Sequence, residues 1–204
     1  MSADSRKLAE EQPESFAFTA ENAAKAKEII ARYPEGKQGS AVMPLFDLAQ
    51  RQNDGWLSEP AIRYVADMLD ISYIRALEVA TFYTMYNLSP VGKHYVAVCT
   101  TTPCWLRGSD EIMTACKKRL GIEVGETTED GMFTLDEVEC MGACVNAPMM
   151  QIDDDYYEDL DKESTVRILD QFAKGETPEA GPQIERQKSA PVGGRTTLKS
   201  KEGG

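Results

Sequence analysis

The sequence has little histidine, few basic residues and no long apolar run. Its single histidine, His94, excludes a Rieske-type cluster, because that centre takes two histidine ligands. Lys and Arg total 22 against 34 Asp and Glu, which leaves a net charge of −12. Nucleic-acid binding is therefore disfavoured, since it needs a basic surface. No apolar stretch approaches the roughly 18 residues that a membrane-spanning helix requires.

The first residues also lack the features of a targeting segment. Residues 1–15 carry four acidic side chains and no apolar stretch, so they match neither a secretory signal nor an Arg-rich transit peptide. The chain has five cysteines, an odd number. Without an export signal a reduced compartment is expected, and there cysteines serve metal or redox chemistry more often than structural disulfides.

Helical patterning dominates the first part of the chain. Residues 1–15 are expected to form a flexible acidic arm, and residues 16–88 a helical domain of four helices. The predicted helix-capping residues are Thr19, Ser40, Ser58 and Ser72, which are of the types preferred at that position. The fourth helix is expected to run to about Tyr86. The last two helices resemble a helix-turn-helix, but their acidic excess favours an ordinary helical hairpin.

The pattern changes after the linker at 88–92. Strands are predicted at 95–98 and 133–138, a helix at about 109–120, a hairpin across 149–157 and a last helix at 164–173. Together they indicate a small α/β domain over residues 91–175. Residues 176–204 are rich in Pro, Gly and charge, and we expect an extended tail without a core of its own, ordered only along a partner.

Four of the five cysteines form two short pairs, Cys99-x4-Cys104 and Cys140-x3-Cys144, with 35 residues between them. Two such pairs on loops predict one four-thiolate site. Neither pair has the C-x-x-C spacing typical of a catalytic dithiol. Zinc and a [2Fe–2S] cluster both accept four cysteines. The spacing favours the iron–sulfur cluster and leaves zinc open.

Several other residues are interpreted as structural. Cys116 lies in mid-helix and is expected to be a small buried residue. Glu139 is expected to point into solvent, and the acidic run 153–163 to form a solvated hairpin and helix start. Two features favour an anionic cluster: a helix start near Gly108 and the close backbone approach that Gly142 permits.

Four segments carry a resemblance to a known family. They are EVATFY at 78–83, PVGK at 90–93, VCTTTPC at 98–104 and VECMGACVNAP at 138–148. With them the chain resembles the thioredoxin-like [2Fe–2S] subunit of NADH:ubiquinone oxidoreductase, respiratory complex I, which is called the 24 kDa subunit in vertebrates. The similarity extends from about residue 16 to 173.

The resemblance implies an α+β chain: an N-terminal helical bundle followed by a thioredoxin-like α/β [2Fe–2S] ferredoxin domain. It implies one [2Fe–2S] cluster held by Cys99, Cys104, Cys140 and Cys144. The cluster would exchange single electrons with the FMN of a partner subunit that also binds NADH. No catalytic residue is expected on this chain, which lacks a Gly-rich phosphate-binding loop.

The resemblance also implies a setting. The host would be a proton-translocating respiratory oxidoreductase that reduces ubiquinone, and its large iron–sulfur subunit is a second expected partner. The chain would lie peripherally, on the cytoplasmic side of the bacterial inner membrane or the matrix side of the mitochondrial one. Alternatives are the equivalent small subunit of an NAD-reducing hydrogenase or NAD-linked formate dehydrogenase, and a zinc-stabilised interaction module without redox function.

Overall fold

A helical unit precedes a unit built around a β-sheet, and the boundary lies between Lys93 and His94. The computed structural model describes residues 7–194 and residue 197. Within this part of the chain no helix combines the length and the apolar character needed to span a bilayer. The boundary lies next to the linker that the sequence predicts at 88–92.

The helical unit contains four α-helices and one 3₁₀ turn among its described residues. They are α1 (Ala20–Ile30), the 3₁₀ turn Gln38–Ala41, α2 (Val42–Gln52), α3 (Glu59–Met68) and α4 (Tyr73–Phe82). Thr19 Oγ1 accepts a hydrogen bond from the backbone N–H of Asn22, and Ser58 Oγ accepts one from Ala61. Both predicted caps therefore satisfy backbone donors at a helix start.

Two helix boundaries differ from the prediction. Ser40 lies inside the 3₁₀ turn, and Ala41 occupies the cap position of α2 without a side-chain bond. α4 ends at Phe82 rather than near Tyr86. The reason is packing: Tyr86 is buried, its hydroxyl donates to the Met43 carbonyl at 3.0 Å, and its ring meets that of Phe46.

The segment before α1 packs against the helical unit instead of forming a free arm. Leu8 contacts the helical core. The Ala9 amide donates to the Leu88 carbonyl at 3.0 Å. Gln12 Oε1 accepts from the Glu59 amide at 2.8 Å, which satisfies a free donor at the start of α3. These contacts hold residues 7–15 in place, and residues 1–6 of the expected arm lie outside the described part of the chain.

The second unit is organised around a five-stranded sheet in its described residues. The strands are β1 (His94–Cys99), β2 (Phe133–Val138), β3 (Met150–Ile152), β4 (Asp155–Glu158) and β5 (Gly181–Pro182), in the order β2-β1-β3-β4-β5. β1 is parallel to β2 and antiparallel to β3, and β3 and β4 form the predicted hairpin. The helices are α5 (Thr102–Leu106), α6 (Ser109–Leu120) and α7 (Lys162–Ala173), with a 3₁₀ turn at Cys144–Asn146.

α6 and α7 pack together over the sheet and enclose the core of this unit. Val96 and Leu135 from the sheet are fully buried there, with Ile112 of α6 and Ile168 of α7. Cys116 belongs to the same core and has no exposed surface. Its prediction as a small buried residue is confirmed.

The segment after α7 also packs against this unit, where the sequence predicts an extended tail without a core of its own. Gly181 and Pro182 form β5, which pairs in parallel with Tyr157 and Glu158 of β4. Backbone pairing at a free sheet edge does not require apolar side chains, so composition does not reveal it. The tail is described as far as residue 194, and at 197.

Candidate metal centre

The parallel pairing of β1 and β2 brings the two cysteine pairs to one edge of the sheet. Cys99 is the last residue of β1 and lies opposite Val138, the last residue of β2. The loops that follow these strands therefore start side by side. Cys104 lies on the first loop, and Cys140 and Cys144 lie on the second. The Thr100 amide donates to the Val138 carbonyl at 3.3 Å and joins the two loop starts.

The first loop contains a short helix that the sequence analysis did not predict. α5 spans Thr102–Leu106 and places Cys104 in a helical turn. Pro103 lies in the first turn of α5, where its fixed φ suits a helix start. A five-residue helix is too short to give a periodic apolar pattern, so only this proline indicated it.

Cys99 and Cys104 form a buried pair. Their exposures are 2% and 1%. Burial raises the pKa of the Cys104 thiol to about 12, and the Cys99 sulfur beside it adds to the rise. Burial also opposes ionisation of Cys99, but donors from Thr101 and the Met141 backbone outweigh it and lower the Cys99 pKa. Negative charge on this pair is thus best stabilised at the Cys99 sulfur.

Cys140 and Cys144 form a second pair, which is exposed. Their sulfur atoms lie 3.4 Å apart. The hydrogen bond with Cys140 raises the pKa of Cys144. Among the described residues no three or more His, Cys, Asp or Glu side chains form a group that could hold a metal ion. The observed arrangement is two close thiol pairs, one buried and one open to solvent.

The two pairs interact electrostatically. The Met141 backbone helps to lower the pKa of Cys99, and the charge of Cys144 contributes to the raised pKa of Cys104. Tyr156 on β4 fixes the loop between them, because its hydroxyl donates to the Met141 carbonyl at 3.1 Å. A thiolate at Cys144 therefore opposes ionisation of the Cys104 thiol.

Three neighbours of the thiols were missed from the sequence: Thr101, Arg107 and Tyr156. Thr101 Oγ1 lies 3.6 Å from Cys99 Sγ. Arg107 Nε donates to the carbonyl of Ala147 at 3.4 Å and links α5 to the second loop. For Thr101 and Arg107 the available signal was proximity to Cys104 in the sequence. Tyr156 comes from a distant strand, so no local signal existed.

Gly142 is required for a different reason than expected. Its φ is +83°, in the region that favours glycine, and a Cβ added there would meet no atom within 4 Å. The turn conformation, rather than a close approach of the backbone, thus explains this glycine. Glu139 is exposed, as predicted, and the bond between Ala147 and Pro148 is cis.

His94 lies at the opposite end of β1 from Cys99, five residues away and so about 16 Å along the strand. Its Nδ1 lies 2.7 Å from Asp153 Oδ2, and its ring packs on Phe172 with 4.8 Å between the centroids. These contacts are structural, as the sequence analysis expected.

A sheet with two thiol pairs in the loops after neighbouring parallel strands, covered by packed helices, defines a small α/β unit with a cysteine-lined candidate site. The sequence model of the family described as thioredoxin-like [2Fe-2S] ferredoxin matches residues 26–173, and the chain belongs to this family. The predicted family and the α+β organisation are confirmed.

Curated relatives extend the similarity over most of the chain. The E subunit of the NADH-quinone oxidoreductase of Rickettsia conorii is 61% identical over 158 residues, which cover 78% of this chain and 95% of that protein. NADH dehydrogenase [ubiquinone] flavoprotein 2, mitochondrial, of Dictyostelium discoideum is 54% identical over 183 residues, or 90% of this chain and 74% of that one.

A solved structure shares the fold at low identity. It is an NAD+-reducing [NiFe]-hydrogenase in the air-oxidized state, with a TM-score of 0.55 and 15% identity. The match covers 64% of this chain and 23% of the hydrogenase chain, so the similarity shows a common fold.

Proposed function

We propose that this chain is the electron-transfer subunit of an NADH–quinone oxidoreductase and carries one [2Fe–2S] cluster on Cys99, Cys104, Cys140 and Cys144. The observation that carries the proposal is that both thiol pairs lie in the loops after two paired parallel strands, in a chain 61% identical over 158 residues to a subunit of such an oxidoreductase. The activity belongs to the assembled enzyme, and this chain contributes one redox centre to it.

The residues present fit the cluster chemically. A [2Fe–2S] cluster takes four thiolates, two for each iron, and the site offers four thiols in two pairs. One pair is buried and the other is exposed, so one side of the site is open to solvent. When bound, the cluster supplies one-electron oxidation and reduction. The four cysteines would hold it, with Cys99 and Cys104 on the buried side, and the Met141 backbone would help to stabilise negative charge at the Cys99 sulfur.

The electron partner is proposed to be the subunit that binds NADH and FMN, with the large iron–sulfur subunit beside it. Apolar side chains next to the thiols support docking of a protein at this surface. Trp105, Leu106 and Val145 are 56%, 71% and 68% exposed, and each directly follows a cysteine or lies one residue further. Exposed apolar residues grouped around a functional site mark interaction surfaces.

The host complex is proposed to be the respiratory, proton-translocating enzyme. Identity near 60% to the curated NADH-quinone oxidoreductase relatives, against 15% to the hydrogenase chain, favours this host over an NAD-reducing hydrogenase or a formate dehydrogenase. The chain then lies peripherally on the cytoplasmic side of a bacterial inner membrane, or on the matrix side of the mitochondrial one.

Anaerobic purification followed by metal and sulfide analysis tests the cluster. The expected result is two irons and two acid-labile sulfides per chain, visible absorption and an EPR signal on reduction. One zinc without sulfide supports the interaction module instead. Cys104→Ser or Cys140→Ser should remove the native spectrum, whereas Cys116→Ser, the matched control outside the site, should retain it. A native spectrum in either ligand variant contradicts the assignment.

Co-purification tests the host. Tagged protein expressed in its own organism should carry with it NADH- and FMN-binding and quinone-reducing subunits. Recovery of hydrogenase or formate dehydrogenase subunits in their place would assign the chain to the alternative complex.

A further inference from the structure

A buried ion pair joins the segment after α7 to the loop after β4. Arg186 Nη1 lies 2.9 Å from Asp159 Oδ1 and 3.2 Å from Oδ2. Both side chains are only 5% exposed. Arg186 lies beyond residues 26–173, the part of the chain that the family model matches. A buried pair of this kind is costly to break on one side, because the remaining charge loses its partner.

Asp159 also forms hydrogen bonds with Asn146, the residue two positions after Cys144. Its Oδ2 accepts a hydrogen bond from Asn146 Nδ2 at 3.1 Å, and its backbone N–H donates to the Asn146 carbonyl at 2.7 Å. Asn146 is itself buried and ends the 3₁₀ turn that begins at Cys144. The Asn146 amide donates to the Ala143 carbonyl at 2.9 Å and closes the turn.

The C-terminal segment adds two direct contacts to the same loop. The Lys188 carbonyl accepts a second bond from Asn146 Nδ2 at 3.0 Å. Arg186 Nη1 donates to the Val145 carbonyl at 3.4 Å, and its Nε donates to the Ala190 carbonyl at 2.9 Å. The guanidinium thus joins three parts of the chain: the cysteine loop, the loop after β4, and its own segment.

We propose that Arg186 is a positioning residue that, through Asp159 and Asn146, fixes the loop carrying Cys144 in the conformation that binds the cluster. The inference rests on the proposed [2Fe–2S] site. Cys144 is exposed and begins the 3₁₀ turn that the buried Asn146 ends, so the position of Cys144 follows that of Asn146. Residues behind metal ligands commonly set affinity in this way, and their replacement typically costs about 10- to 100-fold.

The test compares variants of the full-length holoprotein under anaerobic conditions. With a chelator present, Arg186→Ala should lose the visible absorption of the cluster roughly ten-fold faster than wild type, with altered EPR g-values. Arg186→Lys keeps the charge but not the forked set of donors. Its rate of cluster loss should lie between those of wild type and Arg186→Ala. Arg119→Ala removes an ion pair with Asp170 between α6 and α7. As the control, it should lose the cluster at the wild-type rate and keep the wild-type g-values.

A second variant and a second measurement keep the test decisive if Arg186→Ala folds poorly. The double variant Arg186→Met with Asp159→Leu removes both charges together and avoids an unpaired one. It should fold and still release the cluster faster. In the apoprotein, hydrogen exchange at the Asn146 and Asp159 amides should also be faster in each variant. The proposal is overturned if these variants retain the cluster, the g-values and the exchange rates of wild type. If instead the wild-type chain binds no [2Fe–2S] cluster, the proposed function is overturned.

Discussion

Cys99 and Val138 lie opposite each other as the last residues of two parallel strands. This register brings together two cysteine pairs that are 35 residues apart in the sequence. Parallel strands leave a sheet at the same edge, so the loops after β1 and β2 are neighbours. The position of the proposed centre is therefore a consequence of sheet topology.

The exposed apolar residues beside the thiols provide a test of partner docking. Leu106→Ala or Trp105→Ala should weaken binding to the purified NADH- and FMN-binding subunit by roughly ten-fold, because apolar anchors at interface centres carry much of the binding energy. Calorimetric titration measures the effect. The cluster spectrum should not change.

Ile74→Ala is the control for this experiment. Ile74 is 58% exposed on α4, in the helical unit. Its replacement should leave the affinity for that subunit unchanged. Equal losses in all three variants would argue against a docking surface centred on α5.

Cap substitutions test the helical unit. Ser58→Ala should lower the free energy of unfolding by about 1 kcal/mol, because the Ala61 amide loses its acceptor at a buried helix start. Ser72→Ala, at the start of α4, is the matched control, since Ser72 makes no side-chain capping bond. It should change the unfolding free energy by only a few tenths of a kcal/mol. Urea denaturation followed by circular dichroism measures both.

Cys116→Ser should destabilise the sheet-containing unit without affecting the cluster. The substitution places a hydroxyl in an apolar core with no exposed surface, at a cost of about 1–3 kcal/mol. Thermal unfolding should report the loss, and the visible spectrum should remain native. Loss of the spectrum in a folded Cys116→Ser protein would indicate that this thiol contributes to the centre.

Alkaline pH gives a further test at the same residue. Burial raises the pKa of Cys116 from 9.0 to about 12, so the folded state favours the neutral thiol. That contribution is complete below pH 9 and is lost as the pH rises towards 12, because the unfolded chain ionises first. Unfolding free energies of the apoprotein should therefore fall more steeply above pH 9 in wild type than in Cys116→Ala. Parallel curves would contradict this assignment.

Prediction from the sequence succeeded best where the pattern is local. Thr19 and Ser58 are predicted as caps from their residue type, and in the structure each side chain bonds to an amide three residues away. The strand at 133–138 and the helix start near Gly108 follow from residue types and their period. α4 was predicted too long, since helical propensity continues to Tyr86 whereas burial of that side chain turns the backbone away.

The terminal segments were the least predictable. Residues 7–15 and 181–190 carry little apolar content, and composition alone indicates disorder. Both are held in part by polar contacts between distant residues, Gln12 with Glu59 in one and Arg186 with Asp159 in the other. Such contacts join residues 47 and 27 positions apart, and no local pattern marks them.

Residue types and short spacings were enough to give the four candidate ligands and the helical and mixed halves of the chain, and the resemblance of four segments gave the family. They did not show that Cys99 and Cys104 are buried while Cys140 and Cys144 face solvent, or that Arg186 lies behind the second pair. Only the tertiary structure shows those features, because burial and long-range ion pairing depend on which strands and loops become neighbours. Tertiary packing determines these neighbours.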